Sequence, residues 1–324
     1  MKKSTLMCLI LAVCLIFAAC STPQENSEES NQSKYKAGLA VVASAVETAP
    51  TFTADIALVV IDTDGKIVSC SVDTVDAKAD ITDVSGKIGT AYPSKAALGA
   101  DYGMKGASAI QKEWFEQAQA FEQYCIGKTA DQLSSGVYEG KIADLSASCT
   151  IGVDSLVKAV AKAIENANTP VDVTDNIKTG LYINCTLGAS SADVTEDEDG
   201  KLVYNCIIGG AVTVGGGKIC AAFADEIEST VTFDEEGNST TAVGYTPVSK
   251  YEKGDNYGMK TISGVNKEWF EQIDALTEYC VGKTAAEING GVGEDGKVAD
   301  LSASCTVYSA GYTNAIIKAL EKAQ

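Results

Sequence analysis

Asp144-Leu145-Ser146-Ala147-Ser148-Cys149-Thr150 returns letter for letter as Asp300-Leu301-Ser302-Ala303-Ser304-Cys305-Thr306. In each copy the threonine precedes an apolar-periodic run. The first is Val153-Asp154-Ser155-Leu156-Val157-Lys158-Ala159-Val160 and the second is Thr313-Asn314-Ala315-Ile316-Ile317-Lys318-Ala319-Leu320. That spacing predicts a helix and puts each threonine at its entrance, facing unpaired N–H groups and the positive end of the helix dipole. A cap contributes about 1 kcal/mol, and Ser, Asp or Asn caps comparably, so capping alone does not account for seven identical residues. Outward from this signature the likeness continues: residues 105–130 align without a gap to residues 260–285, and 15 of the 26 positions are identical. The chain is duplicated, at a spacing far too long for a solenoid repeat.

Each copy follows one itinerary. Ala54-Asp55-Ile56-Ala57-Leu58-Val59-Val60-Ile61 and Lys66-Ile67-Val68-Ser69-Cys70-Ser71-Val72 flank Asp62-Thr63-Asp64-Gly65, the pattern of an antiparallel hairpin. Ile110, Trp114, Phe115, Ala118, Phe121 and Cys125 have helical spacing that Gly127 ends, and Thr129-Ala130-Asp131-Gln132 is a capping box for a second helix. The second copy carries a longer early hairpin around Gly209-Gly210. Strands precede helices in each copy, which predicts an α+β fold of two tandem homologous domains, each an antiparallel sheet packed on helices. Residues 35–168 form the first expected domain and residues 171–324 the second, with the boundary at Asn168-Thr169-Pro170.

Composition removes several function classes. The 324 residues carry a net charge of −19, and the 25 basic residues are all Lys, with no His. No basic surface or Arg fork is offered to nucleic acid, and imidazole-dependent hydrolysis and zinc binding are excluded. The amino terminus reads as a lipoprotein signal, residues 1–19: Lys2 and Lys3, an apolar run over residues 6–17, then Phe17-Ala18-Ala19-Cys20, which resembles a lipobox. Cys20 is the expected lipidated residue, residues 20–34 an acidic, Ser-rich disordered tether, and the location extracytoplasmic, on the bacterial cell membrane.

The acidic run Thr195-Glu196-Asp197-Glu198-Asp199-Gly200 lacks the twelfth-position glutamate of a calcium loop and reads as a solvated turn. No cysteine spacing suggests a metal site. Two readings of the cysteines stand: disulfides Cys125–Cys149 and Cys280–Cys305, or buried free thiols. Trp114 and Trp269 read as core anchors, with an aromatic stacking platform as the sharper alternative.

Hairpins with an acidic Gly turn, a Trp-Phe helix followed by Gly-Lys, and a closing Asp-x-x-x-x-x-Thr before a helix resemble the FMN-binding domain of Na+-translocating NADH:quinone reductase and Rnf-complex subunits. That family's motif is close to Asp-x-x-Ser/Thr-Gly-Ala-Thr, whose threonine takes FMN in a phosphoester bond made by a separate flavin transferase. Asp144 and Thr150, and Asp300 and Thr306, match its ends; Ala147 and Ala303, Ser148 and Ser304, and Cys149 and Cys305 depart from its interior. The resemblance implies FMN at Thr150 and Thr306, with Asp144, Asp300, Ser148, Ser304, Cys149 and Cys305 around it. It also implies a flavin transferase, an unidentified redox partner, and electron relay rather than an enzyme with its own substrate. The alternative is a cofactor-free, lipid-anchored binding or surface-interaction module on the same duplicated scaffold.

Overall fold

The structure is a computed structural model and describes residues 33–45, 50–173, 176–195, 198–215 and 217–323. The signal peptide, Cys20 and all but the last two residues of the tether lie outside the described residues, as do Glu196 and Asp197 of the acidic run.

The fold is mixed α/β with antiparallel sheets. Three long strands open the first half: β1 (Tyr35–Ala45), β2 (Thr51–Ile61) and β3 (Ile67–Lys78). Asp62 ties the β2–β3 turn, its Oδ1 accepting the N–H groups of Asp64 and Lys66, while Gly65 supplies the positive φ of 73°. A short strand β4 (Ala91–Tyr92) follows, then helices α1 (Trp114–Cys125), α2 (Ala130–Ser135) and α3 (Asp154–Glu165). The helix expected from Ile110 begins at Trp114, where Glu113 and Glu116 form a capping box. The second half repeats this order after β5 (Thr169–Val171): strands β6 (Ile177–Leu187), β7 (Gly200–Val214) and β8 (Ile219–Phe233), then α4 (Trp269–Cys280), α5 (Ala285–Gly290) and α6 (Ala310–Lys322).

The sheets run β3-β2-β1-β5 and β8-β7-β6-β4. Each half therefore lends a short strand to the fold's other end: β4 pairs with β6, and β5, from the expected boundary, pairs with β1. Alternation along β2 explains the layering. Phe52, Ala54, Ile56, Leu58 and Val60 face a core shared with Leu181, Ile183, Leu202, Tyr204 and Ile208 of the other sheet. Ala57, Val59 and Ile61 face α1 and α3. The second sheet is covered in the same way by α4 and α6. Strands buried on both faces read as continuous apolar runs, as β2 does.

The expected pair of separately cored domains is thereby corrected: Ser33–Gln324 close as one compact unit, a helix–sheet–sheet–helix stack whose central layer belongs to both halves. One sheet face per half was left bare by its own helices, and the other half's sheet covers it.

Gly209-Gly210 is no turn, because β7 runs unbroken through it. A Cβ on Gly209 would meet the backbone of Ala315 on α6, so the glycine permits a close strand–helix approach. Gly38 on β1 and Gly180 on β6 do the same against Ala163 and Ala319. Cys185 and Cys206, directly opposite on β6 and β7, form a disulfide, while Cys125, Cys149, Cys280 and Cys305 are buried free thiols. Of the two cysteine readings the second describes these four, since neither expected pairing occurs. Trp114 and Trp269 are buried in the helix-side cores, Trp269 edge-on to Tyr257 and Tyr312.

Candidate functional site

The signature does not cap a helix. Helix α3 begins at Asp154 with Val153 as its N-cap, three residues past Thr150, and α6 begins at Ala310 with Ser309 as its N-cap, three residues past Thr306. The threonine is instead pinned by a buried amide. Gln117 of α1 accepts the Thr150 N–H at 2.7 Å and the Thr150 O–H at 3.0 Å through one oxygen, Oε1. Its Nε2 donates to Ser108 Oγ at 3.2 Å and to the Lys112 carbonyl at 3.0 Å. Gln272 repeats every contact: Thr306 N–H at 2.8 Å and O–H at 3.0 Å on Oε1, Ser263 Oγ and the Lys267 carbonyl at 3.1 Å on Nε2. Both glutamines are fully buried. An amide sealed from water must find partners within the protein, and this one uses its donor and acceptor sides completely.

The rest of the signature builds the approach to that peg. Cys149 and Cys305 are buried, and burial pushes the Cys149 thiol up, away from thiolate reactivity. Ser148 and Ser304 turn their hydroxyls onto the Leu145 and Leu301 carbonyls at 3.3 Å, tightening a short 3₁₀ turn. Asp144 and Asp300 are exposed on that turn. The expected site residues therefore share one turn in each half, with the aspartates facing water and the threonines facing inward.

An FMN phosphoester fits this arrangement poorly. Esterification of Thr150 would remove the donated proton and leave two acceptor oxygens, Oγ1 and Gln117 Oε1, at hydrogen-bond distance. Rotating the amide would turn its NH2 towards the Thr150 N–H and its oxygen towards the Lys112 carbonyl, so both sides would lose partners. No signature residue lines the cavity that opens at the edge of β8.

That cavity, of about 750 Å³, lies between the edge of β8, the edge of β1, the end of α3 and helix α4. Its walls include Leu39, Val41, Pro170, Phe223, Ile273 and Val281, and its rim includes Asp172, Asp225, Glu252, Asp274 and Glu278. No Lys lines it. The opposite flank of the stack shows why it is open. There Ser69 and Ser71 of β3 reach Thr179 of β6, with oxygen–oxygen distances of 2.9 to 3.0 Å, and stitch the two sheets together. On the cavity side the corresponding positions are Ala221, Phe223 and Ala37, which cannot form such bonds. Glu122 accepts the Val72 N–H at the edge of β3 at 2.8 Å, whereas its counterpart in α4 is Thr277.

Asp225 is the most enclosed carboxylate of the cavity, 6% exposed. It accepts the Glu226 N–H at 2.7 Å and the Tyr251 N–H at 3.1 Å, anchoring the short helix Lys250–Lys253. Burial raises its pKa to about 7, against those hydrogen bonds, with Glu252 adding to the rise. Asp274 accepts the Tyr251 O–H at 2.8 Å and is also raised by burial. Glu252 is ion-paired with Lys162 of α3.

Sequence reasoning passed over Asp225 and Gln117. The glutamine ends the repeated Lys-Glu-Trp-Phe-Glu-Gln, where a polar residue conserved between copies on an otherwise apolar helix face was the available signal. Asp225 could have been found only by aligning the hairpins, which have drifted further than the helices.

No family model and no solved structure matches this chain. A stretch of 47 residues is 47% identical to a chlorophenol reductase of Desulfitobacterium hafniense, covering 14% of this chain and 14% of that protein. The match thus spans about a seventh of the relative's length. Among the described residues, no helix is long and apolar enough to cross a membrane, and no group of three His, Cys, Asp or Glu side chains could hold a metal ion.

Proposed function

We propose that this protein is a lipid-anchored, extracytoplasmic binding module, built from two homologous sheet–helix layers, that takes its ligand in the cleft between β8 and β1. One observation carries the reading. Of two flanks related by the duplication, one is stitched shut by Ser69, Ser71 and Thr179, and the other is left as an apolar-walled cavity of about 750 Å³, within the ordinary range of small-molecule sites. The position suits a tethered receptor. Ser33 bonds the Tyr35 and Val171 carbonyls, so the chain enters the fold beside Thr169, Pro170 and Asp172 of the cleft.

The test is titration of full-length protein with N-phenyl-1-naphthylamine, a neutral apolar dye that fluoresces on leaving water. Saturable binding that Thr277→Trp abolishes, by filling the cleft from α4, is expected; undiminished binding by that variant would overturn the reading.

A second reading is a flavin-bearing electron carrier, which rests on the match of Asp144 and Thr150, and of Asp300 and Thr306, to the ends of the FMN-attachment motif. It requires Thr150 or Thr306 to leave its glutamine for a flavin transferase. Intact mass and visible spectrum of protein made with such a transferase separate the two: unmodified mass and no flavin absorbance favour the binding module, and an added FMN mass favours the carrier.

A further inference from the structure

The two halves treat one buried aspartate differently. Asp73 on β3 holds the short helix Lys95–Leu98 as Asp225 holds Lys250–Lys253: Asp73 accepts the Thr74 N–H at 2.8 Å, the Ala96 N–H at 3.1 Å and the Ser94 O–H at 2.6 Å. Asp73 also has a cation. Lys322, at the end of α6, reaches across from the other half to 3.8 Å from Asp73 Oδ2. The position corresponding to Lys322 at the end of α3 is Asn166, fixed by the matching approaches of Gly38 to Ala163 and Ala167 and of Gly180 to Ala319 and Ala323. Asn166 carries no charge and donates to the Leu39 carbonyl at 2.9 Å. Asp225 thus keeps its twin's hydrogen bonds and lacks its twin's ammonium group, and it lines the open cleft.

We propose that the cleft takes a small organic cation, an ammonium group carried on an apolar body, with Asp225 as its counter-ion. The proposal rests on the binding-module reading and names its ligand class. The charge around the site agrees with it. Asp225 on β8 lines the cleft together with Glu252 and Tyr251 of the short helix, Asp274 and Glu278 of α4, and Asp172 after β5; of these carboxylates, Glu252 is ion-paired with Lys162. Leu39, Val41, Phe223 and Ile273 supply walls for an apolar body, so the site pairs desolvation of hydrocarbon with a charge-assisted hydrogen bond. An ammonium ion bound there fills the place that Lys322 fills on the closed flank.

The pH dependence follows from the same group. Asp225 must be ionised to serve as counter-ion, and burial holds its pKa at about 7, so cation binding weakens as pH falls through neutrality.

The experiment is calorimetric titration of full-length protein with 2-phenylethylamine and with 2-phenylethanol, a neutral probe of the same shape. At pH 8 the amine is expected to bind about tenfold more tightly than the alcohol, and about tenfold less tightly at pH 6 than at pH 8. Asp225→Asn should erase the preference for the amine over the alcohol. Asn166→Lys, which restores the twin's arrangement without touching the aspartate, should also erase it and keeps the test independent of the fold of the first variant. Equal binding of amine and alcohol to the wild-type protein, or a preference that survives both substitutions, would overturn the proposal. If neither phenyl probe binds while the naphthyl dye does, the cation proposal fails and the cleft reading stands. If the dye also fails to bind, both fall.

Discussion

At the scale of the residue, the threonine that ends each signature is a structural peg read by a glutamine 33 or 34 positions earlier in the chain. This accounts for a hydroxyl at that position where capping did not, since Asp or Asn could cap a helix but could not donate an O–H to Gln117 Oε1 alongside the adjacent N–H. Thr150→Ser is therefore expected to be nearly neutral, and Thr150→Ala to cost about 1 kcal/mol, because Oε1 still accepts the backbone N–H. Gln117→Leu should cost more, about 1 to 3 kcal/mol, by orphaning the Thr150 N–H inside the protein. Chemical denaturation of the three variants checks the order, and an equal loss for Thr150→Ser and Gln117→Leu would contradict it. The sequence displayed both partners, each inside a repeated block, but not their contact. Hydrogen bonds between elements leave no periodic trace, so the threonine's helix-entrance position was the only local inference available, and the true entrance lies three residues further on.

At the scale of the element, small residues set how closely helices lie on strands. A methyl group on Gly38 or Gly180 would strike the carbonyl of Ala163 or Ala319, backbone that cannot rotate away. Gly38→Ala should therefore destabilise by about 1 to 3 kcal/mol, whereas the same change at exposed Gly106, which has open space around it, should be close to neutral. Thermal unfolding of the two variants decides it. The cross-strand bridge makes another prediction. Alkylation of unfolded, unreduced protein should leave two of the eight described cysteines unlabelled, and peptide mapping should place them at 185 and 206. Bridged peptides joining 125 to 149 or 280 to 305 would contradict the structure. Hairpins, capping boxes and the Trp-Phe helices were legible because turn chemistry and apolar spacing are local. Pairing of Cys185 with Cys206 was not, since it depends on the register of β6 against β7, and neither cysteine has a counterpart in the first half.

At the scale of the whole molecule, two sheets that each carry one uncovered apolar face become a single core, and carboxylates are buried as the sheet edges meet the helices. Duplication was plain in the sequence, but it did not say whether two copies stand apart or stack, because a strand buried against a partner sheet and one buried against its own helix read alike. The buried acids give this arrangement a signature in solution. Burial raises the pKa values of Asp55 and Asp73, and those of Glu122 and Asp225 to about 7, while the unfolded chain titrates near the ordinary carboxylate range. Between about pH 4 and 7 the folded state therefore holds more protons than the unfolded one, and the free energy of unfolding falls as pH rises through that window. Asp80, Asp234 and Glu287 are lowered by their hydrogen bonds and act in the opposite sense, but they are exposed and lose their contribution only at more acid pH. Self-repulsion from a net charge of −19 pushes in the same direction as the buried acids. The melting temperature should thus be highest near about pH 5 and decline towards pH 7.5. Glu122→Gln keeps an acceptor for the Val72 N–H and removes one of the titrating groups, so it should raise the melting temperature at pH 7.5 and leave it nearly unchanged at pH 5. A melting temperature that rises from pH 5 to 7.5, or a Glu122→Gln effect equal at both, would show that these carboxylates are not held neutral by the stacked fold.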